Sequence, residues 1–401
     1  MYEGLLSFEK GNREGNNGRR DYLHSFCRGI VMKRIALFLL AAAISAPLYS
    51  QVQLGGEVSA YGLKSARTQS QRVIDKGNPT FGWRFDLFFE GKVTDNVAVL
   101  VKTRTSEDES INFDWAAVRL TNLGGTGLNL QAGKFEMPFG NLDERRYPTK
   151  NFLYGLPLIY EYRTSLTDQV INRVEILNNR GKGVGMRLID MGINDLGVMV
   201  YGDAGRLHYA VAASNGTISS TGNRQLNANS DINKIVRVAY APMSGLTVGA
   251  SAAMGAYISD GGRPLPRDQG ILTYQQLIGE VDVSFSRGPF QLNGEGVYSQ
   301  WTVPFENDDT KIYAVGYYGE AKYAFLPRFY LAARVSGLTF SQLDLNGVST
   351  RWDNNVMEAE AGVGYSLDKD TIVKLVRRET RTLGVTGPRD NLTVIQLAVG
   401  F

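Results

Sequence analysis

Along most of this chain apolar and polar residues alternate with a period of two, in segments of about ten residues separated by Gly, Pro, Asn and Asp. Residues 83–93 show the pattern plainly: Trp83, Phe85, Leu87, Phe89, Gly91 and Val93 fall on one face, and Arg84, Asp86, Phe88, Glu90 and Lys92 on the other. Val281, Val283 and Phe285 alternate with Glu280, Asp282 and Ser284, and Met357, Ala359, Ala361, Val363 and Tyr365 alternate with Glu358, Glu360, Gly362 and Gly364. A strand with one apolar and one charged face suits a wall between lipid and an aqueous lumen. The pattern therefore predicts an all-β chain, a transmembrane antiparallel β-barrel.

The connections between these segments differ in length. Very short ones made of turn-forming residues fall at 94–96, 203–205, 242–245, 287–289, 326–327 and 368–369. Between them lie eight long polar segments, 63–81, 106–111, 135–179, 216–233, 259–272, 302–310, 342–354 and 382–390. In membrane barrels the short turns face the periplasm and the long loops face outward. Residues 181–202 read either as one long or bulged strand or as two strands split near 190–195. Two would put every later short turn on the outside, so parity favours one strand and a total of about sixteen. The stretch 133–180, containing the third long loop, is the one extended interruption, and it is expected to fold into the lumen. Tyr313, Tyr323 and Phe325, with Phe329 and Phe340, are expected to form aromatic girdles.

Composition changes the picture at the N-terminus. Met32-Lys33-Arg34 followed by the apolar run 35–44 reads as a secretory signal spanning 32–50, too short to cross a bilayer. Residues 1–31 read as a non-native or disordered extension, and 51–401 as the barrel domain. The leader carries seven of the 43 basic and four of the 40 acidic residues, so the mature chain is neutral and its charge gives no reason to expect a nucleic-acid partner. The single Cys27 lies upstream of the signal, leaving no thiol for a disulfide, a metal or a lipid anchor. No cofactor or metal motif appears. The one mature histidine, His208, lies on a strand without a nucleophile motif beside it, which argues against a barrel-embedded hydrolase. The chain is read as a non-enzyme.

Three stretches, Gly133-Lys134-Phe135-Glu136-Met137-Pro138-Phe139-Gly140, then Asn179-Arg180-Gly181-Lys182-Gly183-Val184-Gly185, then Gly205-Arg206-Leu207-His208-Tyr209-Ala210-Val211-Ala212-Ala213-Ser214-Asn215-Gly216, resemble consecutive motifs of the phosphate-selective porin O and P family. The last strand ends on Ile395, Leu397, Val399 and a terminal Phe401, which resembles the signal read by the barrel-assembly machinery. The resemblance implies a sixteen-stranded outer-membrane barrel of a Gram-negative bacterium, usually homotrimeric, whose third external loop narrows a pore for small polar or anionic solutes, phosphate included. The alternative is a non-conducting structural or adhesin barrel.

Candidate chemistry follows from the inward charges. Lys134, Arg145, Arg146, Lys150, Arg163, Arg173 and Arg180 are candidates for the constriction, facing Glu136, Asp143, Glu144, Glu161, Asp168 and Glu175. Guanidinium groups there would hold an anion through paired N–H donors, or else pin the loop to the wall. The lumen-lining candidates are Arg84, Lys92, Lys102, Arg104, Arg237, Lys322, Arg334, Lys374 and Arg378, together with Glu280, Asp282, Glu358 and Glu360. Both signs are present, as in a general diffusion pore.

Overall fold

The computed structural model describes residues 52–65, 79–107, 110–190, 193–219, 231–259, 263–265, 270–305, 309–384 and 390–401. The expected extension 1–31 and leader 32–50 lie outside the described residues, as does the middle of the first long loop. The strands are β1 (Val52–Ser65), β2 (Thr80–Thr94), β3 (Val97–Ser106), β4 (Asn112–Leu120), β5 (Asn129–Glu136), β6 (Asn194–Ala204), β7 (Leu207–Ser214), β8 (Asn233–Met243), β9 (Leu246–Ala256), β10 (Gln275–Arg287), β11 (Phe290–Pro304), β12 (Asp309–Leu326), β13 (Phe329–Phe340), β14 (Gln342–Leu345), β15 (Val348–Arg351), β16 (Val356–Ser366), β17 (Thr371–Thr382) and β18 (Asp390–Gly400). All except β14 and β15, which form a hairpin in a long loop, close into one antiparallel barrel of sixteen strands. Closure is made by β1 against β18, in register from Glu57 opposite Gly400 to Ser65 opposite Leu392. Closing the sheet removes both edges, so every wall strand has its backbone paired without help from solvent.

The two faces of the wall separate as the alternation predicts. Val281, Val283, Ile395, Leu397 and Leu375 are exposed on the outside, while Glu280, Asp282, Gln396 and Lys374 between them are buried inside. An apolar exterior around a closed barrel is the arrangement a bilayer demands. Phe290 stacks on Tyr323 at 4.6 Å and Phe329 lies 4.5 Å from Tyr365, a belt of rings at the short-turn end. Phe340 departs from its expected place in a girdle: it is buried within the lumen, packed on Tyr162 and Trp352.

The connection from β5 to β6 is longer than the sequence suggests. The stretch 181–202 contributes one strand, as parity requires, but a shorter one: β6 begins only at Asn194, and the residues before it belong to the loop, which runs from 137 to 193. Gly181, Gly183 and Gly185 explain the difference, because the first two have positive φ and the third packs against the backbone of Thr164 and Leu166. A bulge sits where Lys102 of β3 pairs with Trp115 and Thr103 with Phe113, and it turns both Asp114 and Trp115 inward.

A loop packed inside the barrel and the wall it leaves uncovered

The loop 137–193 hydrogen-bonds wall strands from opposite parts of the ring. Thr149 bonds Glu57 of β1 at 2.7 Å, and the amide of Gly140 donates to Ser251 of β9 at 3.2 Å. One segment reaches both only by crossing the lumen. Two short helices give it shape, Leu158–Glu161 and Arg173–Asn178, the second closed by a capping box in which Asn172 and Glu175 bond each other's amides. Gly140 turns at φ 72°, and a side chain there would strike the Tyr160 hydroxyl.

Most of the loop's apolar residues meet apolar residues of the wall. Tyr160, Ile159, Leu166, Ile176, Leu188 and Ile189 are fully or almost fully buried. They share one cluster with inward residues near the long-loop ends of the strands: Ile278 on β10, Trp301 on β11, Ile312 on β12, Leu338 on β13 and Val356 on β16. Trp352, from the long loop after β15, meets Trp301 edge to face at 5.7 Å and bonds the Tyr313 carbonyl at 2.9 Å. This half of the lumen has a dry core of the kind found in soluble domains. Beside it Asp353 accepts from the amides of Ser165 at 2.8 Å and Asn354 at 2.7 Å. Burial pushes its carboxyl up to about 6, against the opposing pull of those bonds, the Tyr162 hydroxyl and the Arg180 charge.

Below that core the inward charges form a ribbon that follows the strand register. Glu320 of β12 sits opposite Arg334 of β13, Arg334 opposite Glu360 of β16, and Glu360 opposite Arg378 of β17, and each of these pairs is an ion pair. Asp282 and Glu295 face each other with like charge. Arg237 relieves one side, 2.7 Å from Asp282, and Arg145 of the loop the other, 3.7 Å from Glu295 and paired with Glu320. The ribbon also fastens the loop's backbone. Lys374 donates to the carbonyls of Pro148, Asn151 and Leu153 at 2.8, 3.1 and 3.0 Å, Tyr330 to Phe152, Arg334 to Gly155, and Arg378 to Tyr154. Buried charges are costly unless paired and bonded, and here Arg145, Lys374, Arg334 and Arg378 also tie the loop to the wall.

The wall of β2, β3 and β4 is different. Arg84, Arg104 and Arg119 keep 25%, 23% and 29% of their side-chain surface open, although each has an acid within reach. Arg84 pairs with Asp86 at 2.6 Å, Arg104 with Asp114 at 3.7 Å and Arg119 with Glu90 at 3.6 Å. Lys102 is buried beneath them, 3.1 Å from Asp114, with Tyr147 of the loop over its ammonium at 4.6 Å.

Among the constriction candidates, Arg145 lies in the ribbon and Arg146 pairs with Glu136. Arg173 bonds the Asp344 carbonyl and Thr310, Arg180 bonds Thr350, and Arg163 bonds the Gly185 carbonyl. These three tie the loop to its neighbours or to itself. Lys150 is exposed. Lys134 belongs to β5, opposite the exposed Ala116 and Leu196, and donates to the Phe113 carbonyl. Among the lumen candidates, Lys92 is exposed beside a short turn, Lys322 lies over the rings of Phe152 and Tyr330, and Glu358 accepts from Thr380. His208 lies 2.9 Å from Asp203 at an exposed turn. Arg119 and Asp114 were not singled out from the sequence, because the bulge at Asp114 and Trp115 breaks the parity by which inward residues are counted on β4.

Neither a protein-family model nor a curated protein sequence matches this chain. Solved structures do. An anion-selective porin from Comamonas acidovorans superposes with a TM-score of 0.59 at 12% identity, over 88% of this chain and all of that one (100%). OmpF of Salmonella typhi, in a complex with daunomycin, gives 0.56 at 14% identity over 87% and 97%. OmpT, an outer membrane protein of Vibrio cholerae seen in a trimer form, gives 0.55 at 12% identity over 88% and 99%. The chain is similar to these three proteins in fold, along nearly the whole barrel.

Proposed function

We propose that this chain is an outer-membrane porin, a passive water-filled channel for small polar solutes in which anions are favoured. The observation that carries the reading is the wall of Arg84, Arg104 and Arg119, three partly open guanidinium groups inside a closed barrel whose exterior is apolar. Cations along a narrow aqueous path raise the local anion concentration and lower the barrier for anion passage. The short turns would face the periplasm, the long loops the exterior, and the loop 137–193 would set the narrowest section. The expected leader 32–50 and the terminal Phe401 support export and barrel insertion, and the trimer form of a structural neighbour supports a homotrimer. Anion selectivity printed for another neighbour agrees with the cationic wall. Phosphate as the solute, and membership of the phosphate-selective porin O and P family, rest on the motif resemblance.

The test is current through purified protein in a planar bilayer. Steady conductance with a reversal potential on the anion side is expected in a chloride gradient, and replacing chloride by phosphate reports on the narrower reading. A barrel that carries no current at any voltage would be the non-conducting structural protein instead.

A further inference from the structure

Around most of the barrel the outward face is apolar along each cross-strand row. Single outward cations interrupt it at Lys134 of β5 and Lys234 of β8, and one region carries two cations across three neighbouring strands. On β17 only Val373 and Leu375 precede a run of outward polar residues, Arg377, Glu379 and Arg381, whereas the adjacent outward positions of β16 are Met357, Ala359 and Ala361. Arg377 sits opposite Ala361, and Ala361 opposite Ala333 between Leu331 and Val335, so the guanidinium occupies a row that is apolar on the next two strands. On its other side Arg377 faces Thr393 of β18, and Thr393 faces Lys64 of β1. Arg377 and Lys64 are both exposed. Arg377 donates to the Thr393 hydroxyl at 2.7 Å, which leans the guanidinium towards β1 and Lys64. Glu379, the acid nearest along the strand, pairs with Arg381 at 3.9 Å.

Charged residues on the lipid side of a barrel strand destabilise it at mid-bilayer and become neutral only near the headgroups. Two cations bracketing a hydroxyl across three strands, about 10 Å apart at the usual strand spacing, match the span of a phosphate held from both sides. We propose that Lys64, Thr393 and Arg377 clamp the phosphate of an anionic lipid headgroup against the outer wall, at the long-loop half of β17, β18 and β1. Lys64 and Arg377 supply charge-assisted N–H donors and Thr393 a hydroxyl donor. Towards the short-turn end the neighbouring outward residues Leu375, Ile395 and Leu397 give the lipid's acyl chains an apolar wall. Charge complementarity selects this occupant: the row offers two cations, and a lipid phosphate brings both the opposite charge and an apolar body.

The experiment uses the full barrel, reconstituted in phosphatidylcholine vesicles doped with phosphatidic acid, re-extracted in mild detergent and assayed for retained lipid by mass spectrometry. The native protein is expected to retain phosphatidic acid over phosphatidylcholine. Lys64→Ala and Arg377→Ala each lower that preference by about fivefold, the scale of one basic residue at an anionic surface. Both substitutions place an apolar residue on an apolar wall, and heat-modifiable gel mobility verifies folding. Lys234→Ala, an outward cation of β8 that pairs with Asp231 at 3.6 Å, is expected to leave retention unchanged. The proposal is overturned if native protein shows no preference, if Lys234→Ala lowers it equally, or if inorganic phosphate alone displaces the lipid. It is likewise overturned if the Lys64 and Arg377 variants change oligomeric state by light scattering with lipid retention intact, which would assign the patch to a second copy of the chain.

Discussion

The two halves of the lumen are built from the same alternating strands and end up as different materials. Along β10, β11, β12, β13 and β16 the inward residues change from charged in mid-strand to apolar near the long loops, Glu295 giving way to Trp301 on β11 and Arg334 to Phe340 on β13. The loop 137–193 covers both zones, apolar on apolar and carbonyl on cation. Along β2, β3 and β4 the inward guanidinium groups of Arg84, Arg104 and Arg119 each keep part of their surface open. An inward charge in a barrel is therefore ambiguous until its partners are known. On one side it is a fastener, and on the other it is a surface for passing solutes.

The largest effect should come from the packed half. Trp352→Ala is expected to cost about 3–5 kcal/mol in unfolding of the detergent-solubilised barrel, as deletion of a buried indole does elsewhere, whereas Arg119→Ala on the open wall should cost about 1 kcal/mol or less. Equal losses would erase the distinction between the halves. Next, Lys374→Met keeps the side-chain volume but strands the carbonyls of Pro148, Asn151 and Leu153. A loss of roughly 2–3 kcal/mol is expected, together with noisier single-channel currents as the loop loosens; a quiet channel would mean that the apolar core alone holds it.

A pH series tests the seam between the loop and Asp353. Its carboxyl ionises near 6 in the folded protein against an ordinary value of 3.8. The folded state thus holds the proton more tightly than the unfolded chain. That stability is fully present below about pH 4, declines as pH rises towards 6 and is flat above, an effect on the order of 3 kcal/mol. Asp353→Asn should abolish the slope in the urea midpoint over that window. Smallest in energy is the change on the open wall. Replacing Arg84, Arg104 and Arg119 by Gln should lower the anion-to-cation permeability ratio by roughly threefold, since partly screened charges of this kind each contribute well under 1 kcal/mol. An unchanged ratio would remove this wall from the solute path.

Much of this architecture was legible in the chain. Period-two alternation placed Val281 and Val283 outside and Glu280 and Asp282 inside, because in a strand each step of one residue reverses the face. Turn chemistry located the short connections, and their parity set the strand number once 181–202 contributed a single strand. The limits of that strand were not legible: Leu188 and Ile189 are apolar enough for a wall, yet they pack in the loop's core. Nor was the place of Phe340, since an aromatic near a strand end reads the same whether it meets lipid or a loop folded over it.

What the sequence determined by itself is therefore the wall, because the forces that set it are local: residue polarity, backbone pairing and the turns between strands. What only the tertiary structure decided is the content of the lumen. Lys374 and Arg104 are both inward cations on alternating strands, and nothing within either strand separates them. One is caged by three carbonyls of a loop more than 200 residues away in the chain, and the other keeps part of its surface open. The difference lies in where one long connection comes to rest, which is set by the summed packing of many distant side chains.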